Sequence, residues 1–316
     1  MTFDVVGVGA SCLDHVCRVP VFPVAGGALS KVRLRSESRR CGGQTATALA
    51  TCQSFGLRAK YVGVVGDDDD GARICDELAG RGVETSDVAR HPGRLTATAT
   101  ILIDDTGDRI VLWHRDAALA FDPARLPRAA LSSARLVHVD DVDEPAAIEA
   151  ARIATRAGVP VTCDVDHVTG GTDALLALVS LPVFAQHVPG ELTGEPDPER
   201  ALRALRRRHP GTLVVTLGED GAAALEGETY HHEPAFAVSA VDTTGAGDVF
   251  RGGFIYATLQ GWPIVEALRF ANASAAASCL TLGAMAGVPG LDAVRGMVRG
   301  ADPTPSIARI RTDQPR

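Results

Sequence analysis

A short run of small and polar residues, Asp242-Thr243-Thr244-Gly245-Ala246-Gly247-Asp248, constrains this chain more than any other stretch. An apolar segment at 236–241 precedes it and reads as a strand. Beyond it Ala246, Val249, Phe250, Phe254 and Ala257 recur at helical spacing. The local picture is strand, tight turn, helix. A helix start leaves amide N–H groups without partners and carries partial positive charge, so it can hold a phosphate. Gly245, Ala246 and Gly247 offer almost no side chain to keep a phosphate away. Asp248 stands at the mouth of that anion site, where a second negative charge weakens phosphate binding. Its placement makes sense if it accepts the proton of a hydroxyl that attacks phosphorus. The simpler alternative is an acid capping a helix after a glycine turn.

The same design recurs along the chain. Apolar runs at 3–9, 61–66, 136–139, 160–164, 183–185 and 213–217 read as strands, and helical patterns cover 146–157, 173–181 and 263–282. Alternating βα units of this length predict an α/β fold with a mostly parallel central sheet wound by right-handed crossovers. Gly7-Val8-Gly9 resembles the start of a dinucleotide fingerprint but lacks its third glycine and a following helical pattern. No Gly-x-x-x-x-Gly-Lys-Ser/Thr segment occurs, which excludes a P-loop kinase. Basic and apolar residues alternate over 31–36, and together with 96–103 and 109–113 this predicts a small half-exposed sheet outside the main core. One domain over 1–300 with that sheet drawn from about 14–40 and 95–115, and a mobile tail over 301–316 holding Pro303, Pro305 and Pro315, is the expected organisation.

Composition narrows the partners. A formal net charge of -8 argues against a nucleic-acid or anionic-membrane binder, so any anionic ligand has to be met locally. No apolar stretch reaches the ~20 residues that cross a bilayer, and the N-terminus shows no secretory pattern. Seven scattered cysteines without a Cys-x-x-Cys pair read as buried thiols of a cytoplasmic protein.

Several further residues stand where a ligand would meet them. Asp14 lies just past the first strand, where open α/β sheets bind ligands, although a plain turn aspartate fits the same position. Gly42 and Gly43 open a second glycine-led helix, and Gln44 and Thr47 on its first turn can hydrogen-bond a polyol. Asp67 to Asp70 resemble a cation site, yet acids at a helix start are favoured by the dipole without any metal. Asp164 and Asp166 close a strand, and Thr216, Gly218 and Gly221 form a strand and glycine turn about 25 residues before the anion site.

The text from Asp242 to Phe254 closely resembles the second signature of the PfkB (ribokinase-like) family of carbohydrate kinases, and the segment from Gly42 to Ala50 resembles its first. The resemblance runs in order from Asp14 to Pro289. It implies a three-layer α/β/α core with a small β-sheet lid that often forms a homodimer interface. It also implies that Asp248 is the catalytic base and that the amides of Gly245, Ala246 and Gly247 receive the transferred phosphate. By the same resemblance Asp14 reaches the sugar, as Arg109 does in the ketohexokinase-like branch, and the nucleotide is bordered by Thr216, Gly218 and Gly221 and walled by Asn272 and Gly283. Glu191 is the remnant of the Asn-x-x-Glu segment that holds Mg²⁺ through water, and Asp242 with Thr244 marks a K⁺ site found in some relatives. The chain departs from the family where common Asn residues read Gln44, Thr47 and Val188, which leaves the acceptor open.

Two functions follow. One is an ATP- and Mg²⁺-dependent kinase for a primary hydroxyl of a sugar or sugar-like molecule, a nucleoside included. The other is a non-catalytic sensor of nucleotide or sugar on the same fold. Lys31, Arg33, Arg35, Arg39 and Arg40 form a basic cluster that reads either as a solvated face or as a site for an anionic acceptor.

Overall fold

Apolar runs become strands and the periodic stretches between them become helices in the computed structural model, which describes residues 2–300. In chain order the first half contains β1 (Val5–Val8), β2 (Cys12–Arg18), β3 (Ser36–Gly42), α1 (Gln44–Ser54), β4 (Ala59–Val62), β5 (Val64–Gly66), α2 (Asp69–Gly80), β6 (Ala89–His91), β7 (Thr98–Ile103), β8 (Arg109–His114), α3 (Arg128–Ser133), β9 (Leu136–Asp140) and α4 (Glu144–Arg156). The second half contains β10 (Val161–Val165), α5 (Thr172–Leu176), β11 (Leu181–Phe184), α6 (Val188–Thr193), α7 (Pro198–Arg206), β12 (Leu213–Thr216), β13 (Ala222–Glu226), β14 (Thr229–Glu233), α8 (Ala246–Leu259), α9 (Ile264–Ser278) and α10 (Leu291–Gly300).

Eight strands form the main sheet in the order β14-β13-β12-β11-β10-β9-β1-β4. From β12 to β4 the strands run parallel, and β13 and β14 turn back antiparallel. Successive side chains face opposite sides of a pleat, so Val6, Val8, Val137 and Val139 join a core with Ala147 and Ala151 of α4 and Leu202 of α7. Val5 and Leu136 point the other way, into a core with Leu49 of α1, Phe250 and Phe254 of α8 and Phe270 of α9. The result is a sheet sandwiched between helices, with buried strands that read as near-continuous apolar runs. Strand order reverses at β1, whose neighbours are β4 and β9. Ligands of such sheets bind outside the carboxyl ends of the strands at that reversal.

Glycines set the fit of α1 on the sheet. A Cβ on Gly7 would lie 2.6 Å from Leu49, and one on Gly9 would lie 2.1 Å from the Asp140 carboxylate. The Gly7-x-Gly9 pair therefore serves close packing rather than dinucleotide binding.

A smaller sheet of order β3-β2-β7-β8 stands beside this core. Its own apolar cluster holds only Val16, Ala99, Ile101 and Ile103, backed by Leu282 from the turn after α9.

Four sequence expectations shift. The run 61–66 divides at Gly63 into β4 of the main sheet and β5, which pairs with β6 in a separate ribbon. Residues 236–241 form no strand, and the amides of Val241 and Asp242 bond instead to the Cys279 carbonyl at the end of α9. The alternating stretch 31–36 is a loop up to its last residue. The strand begins at Ser36, where antiparallel pairing with β2 sets Arg40 opposite Asp14. The helix expected over 173–181 is confined to Thr172–Leu176, since Leu181 already pairs with Thr162. The tail over 301–316 lies outside the described residues.

Candidate active site

The start of α8 is built as the sequence implies, with one substitution among its amides. Gly245 caps the helix in the left-handed region at φ 76°, and a Cβ there would lie 2.5 Å from Ala284. Ala246 donates its amide to the Thr243 carbonyl at 3.2 Å and closes the turn. Val249 donates to the Gly245 carbonyl at 2.9 Å. Among the described residues the amides of Gly245, Gly247 and Asp248 have no protein acceptor. The open donors are thus Gly245, Gly247 and Asp248 rather than the expected trio, because the turn consumes the amide of Ala246.

Asp248 is half-buried beside them. Burial pushes its carboxyl up to about 8; Arg251 opposes that rise, and Asp166, Asp14 and Asp140 add to it. An acid whose pKa sits near the working pH suits a general base.

Across the cleft, Asp14 of β2 is 3% exposed and accepts the Cys12 thiol at 3.0 Å. Burial raises it to about 6, with Asp242 contributing in the same direction. The glycine pair explains how it fits. A Cβ on Gly42 would lie 2.2 Å from the Asp14 carboxylate, and one on Gly43, at φ 102°, would lie 2.4 Å from the Ser11 backbone. Gln44 donates to Asp166 at 2.9 Å. Thr47 does not face the cleft: it is fully buried in α1, with its hydroxyl unpartnered.

Other expected residues fall into supporting places. Arg109, exposed on β8, donates to the Thr243 hydroxyl, so it ties the small sheet to the loop before the anion site rather than to the Asp14 side. Asp242 is buried and accepts the amides of Thr244 at 2.8 Å and Gly283 at 2.7 Å, which stitches that loop to the turn after α9. Asn272 donates to the carbonyls of Glu233 and Pro234 at 2.9 and 3.1 Å and anchors the segment leaving β14. Gly218 and Gly221 take positive φ after β12, and Thr216 donates to the Phe184 carbonyl at 3.3 Å. Glu191 lies exposed on the first turn of α6. Among the described residues no three His, Cys, Asp or Glu side chains group as a metal site, and Asp68 spends its carboxylate on the amides of Gly71 and Thr96. In the basic cluster Arg35 pairs with Asp105 and Arg39 with Asp70 at 3.8 Å.

Sequence reading missed the two acids at the end of β9 that hold the site from below, and one arginine. Asp140 accepts the Ala10 amide and the Thr45 hydroxyl, both at 2.7 Å, locking the end of β1 to α1. Burial raises it to about 6. Asp141 accepts the amides of Asp166 and His167 at 2.7 and 2.6 Å. Arg251, 3% exposed on α8, pairs with Asp164 and with Asp166 at 3.0 Å. A charged residue between Phe250 and Gly252, in an otherwise apolar helix, is the signal that would have found it.

This architecture and its glycine-led helix starts belong to a recognised class of phosphotransferases. The pfkB family of carbohydrate kinases matches residues 3–290, and the chain belongs to that family. Among its relatives, an ATP-dependent ribose-1-phosphate kinase from Halopiger xanaduensis is 31% identical over 290 residues, covering 89% of this chain and 93% of the relative. A nucleoside kinase from Methanothermobacter thermautotrophicus is 27% identical, covering 86% and 88%. The solved structure of Arabidopsis thaliana ribokinase complexed with ribose and ATP shares the fold with a TM-score of 0.78 at 24% identity, covering 95% of this chain and all of that one.

Proposed function

We propose that this protein, a carbohydrate kinase by family, transfers the terminal phosphoryl group of ATP to a hydroxyl of a ribose- or fructose-sized sugar or nucleoside, with Asp248 as the base. The supporting observation is the pairing of an acid poised near neutrality with open amides on the same helical turn, opposite a second buried acid that has an oxygen free to receive an acceptor hydroxyl. Asp14 and Gln44 would orient the acceptor. Asp248 would take the proton of the attacking hydroxyl, and the amides of Gly245, Gly247 and Asp248 would receive the migrating phosphoryl oxygens. The turn of Gly218 and Gly221 and the Gly283 segment would border the nucleotide, whose Mg²⁺ would neutralise phosphate charge. Glu191 is the residue of this chain offered to that hydrated ion, and Asp242 with Thr244 is the corresponding offer to K⁺.

The small sheet would serve as a lid, with Arg109 drawing it onto the phosphate loop and excluding water. Its outer strand β8 leaves Leu112 59% and Trp113 70% exposed, which supports pairing of two copies through that sheet. Pairing of Arg35 and Arg39 with acids favours a solvated face for the basic cluster over an anionic acceptor.

ADP release with D-ribose, ribose 1-phosphate, D-fructose, fructose 6-phosphate and adenosine tests the assignment. Turnover with one of them that falls about 10²- to 10⁴-fold in Asp248→Asn is expected. Tight binding without turnover across the panel would turn the assignment toward a sensor.

A further inference from the structure

The buried charge cluster beneath the α8 turn has no part in the chemistry above, yet it joins both halves of the site. We infer that Arg251 is a positioning residue: it fastens Asp166 under the first turn of α8, so that Gln44 on the acceptor side and Asp248 on the phosphoryl side are held as one unit. Asp166 uses both oxygens for this. One accepts Arg251 at 3.0 Å and the other accepts Gln44 at 2.9 Å, while its amide is pinned by Asp141 at 2.7 Å. Arg251 in turn lies against the turn it supports, since a Cβ on Gly247 would come within 2.5 Å of its Nη1. The inference concerns the unliganded protein and stands apart from the identity of any acceptor.

Charge within the cluster is consistent with this role. Burial drives Asp164 well above the usual carboxylate range, and Arg251 works against that rise. Burial also works to raise Asp166, but Arg251, Asp164 and Gln44 outweigh it and hold Asp166 below its ordinary value. His138, bonded to Thr162 at 2.9 Å, is pushed down to about 3 by burial and by Arg251, so it is neutral. Arg251 and Asp166 lie together as an ion pair at 3.0 Å, and Asp166 is the partner that burial does not raise above its ordinary value. The groups bearing on Asp248 are Arg251 from its own helix, Asp164 and Asp166 from the end of β10, Asp140 from the end of β9, and Cys12 and Asp14 from β2. Of these only Arg251 is cationic, and its removal leaves Asp248 among acids.

Carbon-13 NMR titration of the Asp248 carboxyl in the unliganded full chain, assigned by difference from Asp248→Asn, provides the test. In Arg251→Met the midpoint is expected to rise by about one pH unit or more, and the side-chain amide signal of Gln44 is expected to lose its bonded position. Arg251→Lys, which keeps the charge, is expected to hold the midpoint within about half a unit of wild type. Asp166→Asn is expected to lower the midpoint while also releasing Gln44. A folded Arg251→Met with an unmoved Asp248 midpoint, or an unchanged Gln44 signal, would overturn the inference. Should Arg251→Met fail to fold, an unmoved midpoint in Asp166→Asn would do the same. None of these readouts needs turnover, so failure of the kinase assignment would leave them decisive.

Discussion

Two glycine-led helices, α1 and α8, pack side by side in this molecule, and they use the same local design for different ends. At α1 the third amide of the helix, from Ala46, is donated to the Ala10 carbonyl at 3.2 Å, and the turn carries no acid. At α8 the first amide is consumed by the turn, the next two stay open, and Asp248 occupies the first turn. Gly43 exists to let α1 press on the Ser11 backbone, whereas Gly247 clears space above the Arg251 guanidinium. A glycine turn before a helix thus marks a close approach; the amides of Gln44 and Thr45 also lack acceptors among the described residues, so it is the acid on the first turn, present at α8 and absent at α1, that tells the two apart.

Substitutions at matched positions would break this contrast or sharpen it. The largest difference is expected between the acids. Asp248→Asn should abolish most of kcat, as above, whereas Asp14→Ala should act mainly through the acceptor, raising its KM about 10- to 100-fold, the loss of one charged hydrogen bond. Steady-state kinetics separates the two, and a kcat collapse in Asp14→Ala would erase the division of labour.

Next come the glycines. Gly43→Ala places a Cβ at φ 102° against backbone and is expected to cost about 1–3 kcal/mol of stability by denaturant unfolding. Gly247→Ala meets only a side-chain end at 2.5 Å, so its stability should stay within about 1 kcal/mol of wild type while activity falls.

A titration of stability follows in size. The Asp248 carboxyl is raised in the folded state from an ordinary 3.8 to about 8, so protonation stabilises the fold. That contribution is complete below about pH 4 and is lost as pH rises through 8. Asp14 and Asp140 lose theirs through about 6. Asp248→Asn should therefore melt higher than wild type above pH 8, by on the order of a few degrees, and the gap should vanish near pH 4. Over the same range kcat/KM should climb through about pH 8 as the base ionises. A flat melting difference would mean that the acid is solvated in the free protein.

The smallest effect belongs to Arg109→Ala. Its bond to Thr243 lies at the exposed rim, and loss of such a contact, about 0.2–1 kcal/mol, predicts a two- to fivefold change in KM for ATP.

Much of this was legible in the sequence. Alternating apolar runs and helical periods gave the parallel sheet, because strands buried on both faces leave a continuous signal. The string around Asp248 pointed to the proposed phosphoryl end of the site, because open glycine-led amides beside an acid at a helix start suit an anion and a proton acceptor. What stayed hidden depends on contacts across the chain. The position of β3 is set by pairing with β2, not by its own alternation, and residues 236–241 have strand-like composition but bond to the end of α9. Asp140 and Asp141 read as ordinary acids after a strand until the sheet brings them beneath Ala10 and Asp166. Thr47 and Asn272 look like ligand contacts by type, and only burial and bonding show that one is enclosed in the core and the other secures backbone.

Gly252 carries a consequence for how such an enzyme changes its diet. A Cβ there would lie 2.5 Å from Thr51 and 2.7 Å from the Ala48 carbonyl, so α8 and α1 are seated almost backbone to backbone. The gauge between the two helix mouths is cast in the interior and does not stretch to suit a bulkier guest. On the proposed function, retailoring the acceptor would fall to the small sheet and its loop over 19–35, while the spacing of the two helix starts would stay constant.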